Sequence, residues 1–311
     1  MTANKHGNER PAGWVHHPRL AVAGPLDLTM DLAVAGGAWP LRLHLVYTAD
    51  GLYVPAVSRQ PNGPGPFPTI IALHGGSGGL GIPYLVDHVQ NQGWALEAML
   101  ARGYAVVFGE GRMEHEDAYG TGIPFELDHK DVVQLFRFVG RQPWADPRRI
   151  GFFGVSHGGE LQMKLVHEIA GRTDVPMPAA LAMCEPAIIE FLGLKYEGVR
   201  KEANLPFHAP IADSQIDIAR ARERIAKMPA DLPMLVVGRD EDHLQGPFQK
   251  LHELLVAAGK RATWASFSHP EHAYQLGPRR SGAEGYRPGP VEQATLEHVL
   301  AFLDTHVRNR K

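Results

Sequence analysis

Cysteine is nearly absent. The only thiol in 311 residues is Cys184, so an internal disulfide is impossible and a cysteine-built metal cluster is excluded. No run of about 18 apolar residues occurs that would span a bilayer. The polar stretch from Met1 to Pro18 lacks the unbroken apolar segment of a secretion signal. Neither charge sign dominates: the formal net charge is −3 with acids and bases interspersed, which leaves no electrostatic footprint for nucleic acid or an anionic membrane surface. The 17 histidines are scattered and form no H-E-x-x-H helix. These absences leave a cytoplasmic, soluble protein as the expectation. Its partner would be a small molecule rather than nucleic acid or membrane, and neither a metal nor an organic cofactor is implied.

Apolar residues make up 44% and charged residues 21% of the chain, enough for a large core. Residues 1–18 read as a flexible N-terminal tail and residues 19–311 as a single domain. In the first part of that domain Leu41, Leu43 and Leu45 alternate with Arg42 and His44, the period-2 spacing of a strand. Gly63-Pro64-Gly65-Pro66 then punctuates the chain. Beyond it, short apolar runs at Thr69–Leu73, Tyr104–Phe108, Ile150–Phe153, Ala179–Cys184, Met234–Val237 and Ala262–Phe267 read as strands, most of them buried on both faces. Helical patterns separate them, at about Trp94–Arg102, Leu127–Arg141, His157–Ile169 and Phe248–Ala258, and a last one spans about Val291–His306. This alternation predicts an α/β fold: a doubly wound, mostly parallel sheet with helices on both faces. The excursion within 185–230, with a helical stretch at Ser214–Lys227, has two readings, a small cap over the site or a segment packed beside the sheet.

One motif carries chemistry. Gly154-Val155-Ser156-His157-Gly158 has the form G-x-S-x-G and lies between an apolar run and a helical pattern, the strand–turn–helix setting in which such a serine is lifted free. A Cβ at position 154 or 158 would collide in so tight a turn. The hydroxyl would stand at a helix N-terminus, whose partial positive charge favours a developing anion. A serine hydroxyl needs a base. His272, just beyond Ala262–Phe267, is the first candidate and His269 the alternative. An acid must orient that imidazole, and Asp240, Glu241 and Asp242 follow the strand at Met234–Val237. Asp242 is taken first and Asp240 second, with Glu185 behind them. Oxyanion donors would be the backbone N–H of His157 and of Gly75 or Gly76, in the run His74-Gly75-Gly76-Ser77-Gly78-Gly79. A dinucleotide reading of that run fails, because G-x-G-x-x-G fits only generously and no acid closes the next strand.

The segments Pro68–Gly79, Trp144–Gly151 and Gly154–Gly159, together with the arginine-bearing loop after Phe108, resemble the α/β-hydrolase branch that holds prolyl oligopeptidase catalytic domains and dienelactone-hydrolase-like proteins. The resemblance covers about residues 50–305 and implies an α/β-hydrolase fold. It also implies a triad of Ser156, an acid after Val237 and His272, with His74-Gly75-Gly76 bordering the oxyanion site. A serine hydrolase acting on carboxylic esters through an acyl-serine is therefore expected. A small peptidase of the prolyl oligopeptidase branch is the alternative, and a non-catalytic ligand-binding protein on the same scaffold is the alternative of another class. Three departures qualify the transfer: prolyl oligopeptidases carry a large N-terminal propeller, whereas only about 65 residues precede the first core strand here; the nucleophile position is Ser156 rather than the cysteine of dienelactone hydrolases; and the acids follow Gly238 at unusual spacing.

Overall fold

The computed structural model describes residues 27–32, 41–48, 53–76, 81–87, 94–111, 128–188, 190–193, 216–240, 244–276 and 288–310, with Gly51, Val89 and Asp242. The expected tail at 1–18, the acid Glu241 and residues 194–215 of the expected cap lie outside the described residues. The elements run β1 (Leu28–Leu32), β2 (Leu41–Tyr47), β3 (Tyr53–Arg59), β4 (Phe67–Leu73), α1 (Gly81–Asp87), α2 (Trp94–Ala101), β5 (Ala105–Gly109) and α3 (Asp128–Gly140). There follow β6 (Ala145–Val155), α4 (His157–Ile169), β7 (Leu181–Cys184), α5 (Ile218–Lys227), β8 (Met234–Arg239), α6 (Gln245–Ala257), β9 (Ala262–Phe267) and α7 (Pro290–Leu303). Among the described residues no helix is long and apolar enough to cross a membrane.

The strands form one sheet in the order β1-β2-β3-β5-β4-β6-β7-β8-β9. The β1–β2, β2–β3 and β3–β5 pairs are antiparallel, and from β5 to β9 every pair is parallel. Side chains alternate between the faces, so each short apolar run serves two cores at once. Ile71, Leu73, Val107, Phe152, Met183 and Val236 pack with Phe136 of α3, Leu165 of α4, Ile225 of α5 and Leu251 of α6. Ile70, Ala72, Phe108, Phe153, Val155 and Val237 pack on the other side with Leu96 of α2 and Val299 and Leu300 of α7. Burying such a side chain is worth about 1.5–3 kcal/mol each.

Two elements differ from the sequence reading. β6 begins at Ala145, well before the apolar run at Ile150. Its first half holds Pro147, Arg148 and Arg149, which mask a strand pattern, and pairs with β4 through a register shift between Phe67 and Thr69. The buried Asp146 organises this stretch by accepting from Arg148 N at 3.0 Å and Arg149 Nε at 2.8 Å. The short helix α1 had no periodic signal, being 7 residues that include Gly81 and Pro83.

The chain leaves β4 in one direction to reach β5 and returns on the other side of β4 to reach β6. Such a reversal opens a crevice at the carboxyl ends of the strands. His74-Gly75-Gly76 follows β4 and Ser156 follows β6, so both border that crevice.

Candidate active site

Ser156 occupies a backbone conformation of φ 53° and ψ −118° at the N-cap of α4. A non-glycine residue there carries about 1–3 kcal/mol of strain, so its surroundings must hold it. They do so through the backbone: Ser156 N–H donates to Cys184 O at 2.9 Å, and Ser156 O accepts from Gly159 N at 2.9 Å and Ala187 N at 2.9 Å. The glycines of the motif answer to space. A Cβ on Gly158 would strike the carbonyl of Leu73, and one on Gly154 would strike the Gln162 amide and the Gly158 carbonyl.

The oxyanion candidates adjoin this turn. A Cβ built on Gly75 would lie 3.0 Å from Ser156 Cβ and 3.5 Å from its Oγ, so the glycine loop passes directly over the serine. His157 opens α4, and a first-turn N–H has no acceptor within its own helix. His74 steadies the loop. Its Nδ1 bonds Gly75 O at 2.7 Å, and its Nε2 meets Glu110 Oε2, after β5, at 3.2 Å. Because a peptide plane is rigid, fixing Gly75 O also fixes the direction of the Gly76 N–H.

His272 follows β9, and its Nδ1 lies 2.7 Å from Asp242 Oδ2. The carboxyl ends of β6, β8 and β9 share one edge of the parallel sheet, so Ser156, Asp242 and His272 arrive there together. Asp242 is fully buried and its acceptor capacity is used: Oδ1 takes Leu244 N at 2.7 Å, and Oδ2 takes Arg239 Nη2 at 2.8 Å and Nε at 3.1 Å. The same guanidinium donates through Nη1 to the carbonyls of His269 at 2.8 Å and Pro270 at 3.3 Å. Arg239 therefore binds the acid to the loop that carries the imidazole.

The alternative residues are engaged elsewhere. Asp240 accepts from the Ser266 hydroxyl on β9. His269 stacks on Tyr274 with ring centroids 4.0 Å apart and meets Glu292 Oε1 at 3.2 Å. Glu185, ranked last among the acids, instead reaches the imidazole: its Oε2 is 2.6 Å from His272 Nδ1. It was hard to see in sequence because 87 residues separate it from His272 and only the β7–β8–β9 pairing brings them together. The available signal was an acid at the end of a fully buried strand. Gln275 was missed for the same reason, and Arg239 because its carbonyl partners at His269 and Pro270 lie 30 residues or more downstream.

Burial pulls the His272 imidazole toward its neutral form. Hydrogen bonds and charge from Asp242 and Glu185 outweigh that pull, and the ring titrates at about 9, up from 6.5.

The comparisons agree on architecture. The chain superposes over 88% of its length on carboxyl esterase 2 from the mycorrhizal fungus Tuber melanosporum, covering 90% of that protein with a TM-score of 0.60 and 18% identity. The fold is that of the α/β-hydrolases. No family model matches the chain. In sequence, the chain is 28% identical over 135 residues to the uncharacterized peptidase YtmA of Bacillus subtilis, a match covering 42% of the chain and 48% of that protein. It is 26% identical over 145 residues to the probable dipeptidyl-aminopeptidase B of Uncinocarpus reesii, covering 44% of the chain and 15% of that protein. The chain thus spans half or less of the curated relatives it matches.

Proposed function

We propose that this chain is a serine hydrolase in which Ser156 is the nucleophile, His272 the base and Asp242 the acid that orients it. One observation carries the reading: Ser156 is held in a strained turn at the N-terminus of α4, on the same sheet edge as an imidazole whose Nδ1 is bound by a buried carboxylate. Strain of this kind persists where the surroundings enforce it, and it gathers at reactive sites.

In the proposed cycle Ser156 Oγ attacks a substrate carbonyl while His272 Nε2 takes its proton. The oxygen of the tetrahedral intermediate gains negative charge and is met by the N–H of His157 and of Gly75 or Gly76. The intermediate collapses, the bond to the leaving group breaks, and His272 returns the proton to that group. Water then attacks the acyl-serine by the same route, releasing the acid and restoring the hydroxyl.

A carboxylic ester is the substrate favoured here. The fungal carboxyl esterase is covered over 90% of its own length, whereas the proteins named as peptidases are covered over less than half of theirs. Those peptidase names support a second reading, a small aminoacyl or dipeptidyl hydrolase using the same residues. A fluorophosphonate is expected to label the protein at Ser156, and Ser156→Ala is expected to lose labelling and at least about 10⁴-fold in kcat. Unchanged turnover in Ser156→Ala refutes the assignment. A panel of acyl esters against aminoacyl and dipeptidyl amides separates the substrate classes: turnover of amides alone favours the peptidase.

A further inference from the structure

Resting on the serine-hydrolase reading, we propose that Glu185 is a second carboxylate partner of the His272 imidazole, a positioning residue that shares the Nδ1 hydrogen with Asp242 and orients the ring when Asp242 is neutralised.

The geometry is that of one donor between two acceptors. His272 Nδ1 lies 2.6 Å from Glu185 Oε2 and 2.7 Å from Asp242 Oδ2. Neither carboxylate is spare, and each grips the imidazole loop from its own side. Asp242, through Arg239, holds the residues before the ring at His269 and Pro270. Glu185 holds those after it: Oε2 accepts from Ala273 N at 3.0 Å and Oε1 from Gln275 Nε2 at 2.5 Å. Ala273 adopts φ 66° and Glu185 itself φ 46°, left-handed conformations that cost a residue with a Cβ about 1–3 kcal/mol. The fold thus bends both chains to make this contact.

Charge argues in the same direction. Both acids are fully buried. The permanent cation of the cluster, Arg239, lies 2.8 Å from Asp242 but 3.7 Å from Glu185. With a neutral ring the cluster carries one excess negative charge out of water, and a protonated ring cancels it. A buried carboxylate left without a full counter-charge is costly, so Glu185 draws the imidazole toward the cationic form. Among the described residues the other ionisable groups nearby are the Cys184 thiol on β7, Asp240 bound to Ser266, the loop's own Glu271 and Tyr274, and His269 paired with Glu292 of α7. Glu185 and Asp242 are the groups that bond the imidazole Nδ1. A purely structural glutamate would cap Ala273 N and Gln275 without touching the ring, and this one does both.

The test compares Glu185→Gln, Asp242→Asn and the double variant. Its readouts are hydrolysis of 4-nitrophenyl acetate from pH 5 to 10 and the proton titration of His272 by NMR, with pH 5 and 10 chosen to bracket about 6.5 and 9. Asp242→Asn is expected to lose about 10²-fold in kcat. The double variant should approach the roughly 10⁴-fold loss known for a triad that loses its acid. Glu185→Gln is expected to move the acid limb of the pH profile, and the NMR midpoint, down by about one pH unit or more. An Asp242→Asn variant as inactive as the double variant overturns the proposal, as does an unmoved NMR midpoint in Glu185→Gln. Should Glu185→Gln fail to fold, Asp242→Asn decides alone: a loss near 10⁴-fold refutes the backup role, and one near 10²-fold supports it. Failure of the hydrolase reading itself shows elsewhere, as full turnover in Ser156→Ala. The NMR titration reports on Glu185 without any turnover.

Discussion

Two histidines, His44 and His272, occupy opposite halves of the sheet and opposite charge regimes. His44 lies on β2, in the antiparallel flank. It is buried against the Phe138 ring, with Thr29 Oγ1 at 2.9 Å from Nδ1 and Ser58 Oγ at 2.7 Å from Nε2. Burial, reinforced by the charge of Arg42 and only partly opposed by Asp27, holds it down to about 4. His272 lies at the carboxyl edge of the parallel half, between two carboxylates, and is held up at about 9. Burial pushes both rings toward neutrality. Only carboxylate partners reverse the sign, because a hydroxyl adjusts its dipole to either tautomer whereas a carboxylate specifically rewards the cation. The flank uses histidine as a packed hydrogen-bonding core residue, and the edge holds it between carboxylates that favour its cationic form.

The largest expected effect separates these two uses directly. His272→Gln should lower kcat by about 10⁴-fold while the protein stays folded. His44→Gln should leave kcat within a few-fold and appear instead as a lower Tm. Kinetics and thermal melts on the two variants check this. A folded His44→Gln with activity lost to the same extent would erase the distinction between the flank and the edge.

Much of this contrast was legible in the sequence, and the illegible part has a physical reason. The unbroken runs at Thr69–Leu73, Ile150–Phe153 and Met234–Val237 were readable as doubly buried strands, because burial on both faces imprints itself locally, whereas the alternation at Leu41–Leu45 marked a strand but put His44 on the outer side, where the structure buries it. The turn at Gly154–Gly158 was readable because its requirement is steric and local: the Leu73 carbonyl leaves no room for a Cβ on Gly158. The choice between Asp240 and Asp242 was not derivable, since it depends on Ser266 of β9 capturing one of them and Arg239 the other. Glu185 was invisible as a partner for the same reason at longer range. Charges that meet across β7, β8 and β9 leave no periodic trace, and neither do the residues that hold Asp146 and Arg149 in place at the start of β6.

The next effect in size is a pair of opposed pH windows. His44 has a folded value of about 4 against 6.5 unfolded, so the unfolded chain binds the extra proton first. Stability on its account is intact above about 6.5 and falls as pH drops toward 4, by on the order of 3 kcal/mol over the whole window. His272 has the reverse sign. Its folded value is raised, so its contribution is fully present below 6.5 and is lost as pH rises through about 9. Denaturant unfolding of the parent and of His44→Gln at pH 7 and pH 4.5 isolates the acid window, since these values lie on either side of most of the 6.5-to-4 interval. The parent should lose distinctly more stability between them than the variant. Equal losses would mean that His44 is as readily protonated as an exposed histidine.

The smallest effect tests what keeps His44 neutral. If hydroxyl partners satisfy the ring without charging it, removing one leaves a buried nitrogen unpaired rather than ionised. Ser58→Ala deletes the 2.7 Å partner of Nε2 at a site with no exposure. An orphaned buried polar atom costs about 1–3 kcal/mol, and the low end applies here because the Thr29 contact on Nδ1 survives. The expected result is a Tm a few degrees lower, with the acid window of His44 unmoved or shifted further down, since the ring loses a partner and gains no anion. Ser58→Asp is the sharper counterpart. It places a carboxylate where the hydroxyl stood, the arrangement that Asp242 and Glu185 create around His272, and should raise the His44 titration above 6.5 while leaving turnover within a few-fold. A Ser58→Asp variant whose His44 still titrates near 4 would show that burial outweighs a carboxylate partner in the flank, and the contrast between the two halves of the sheet could no longer be assigned to the partner's chemistry alone.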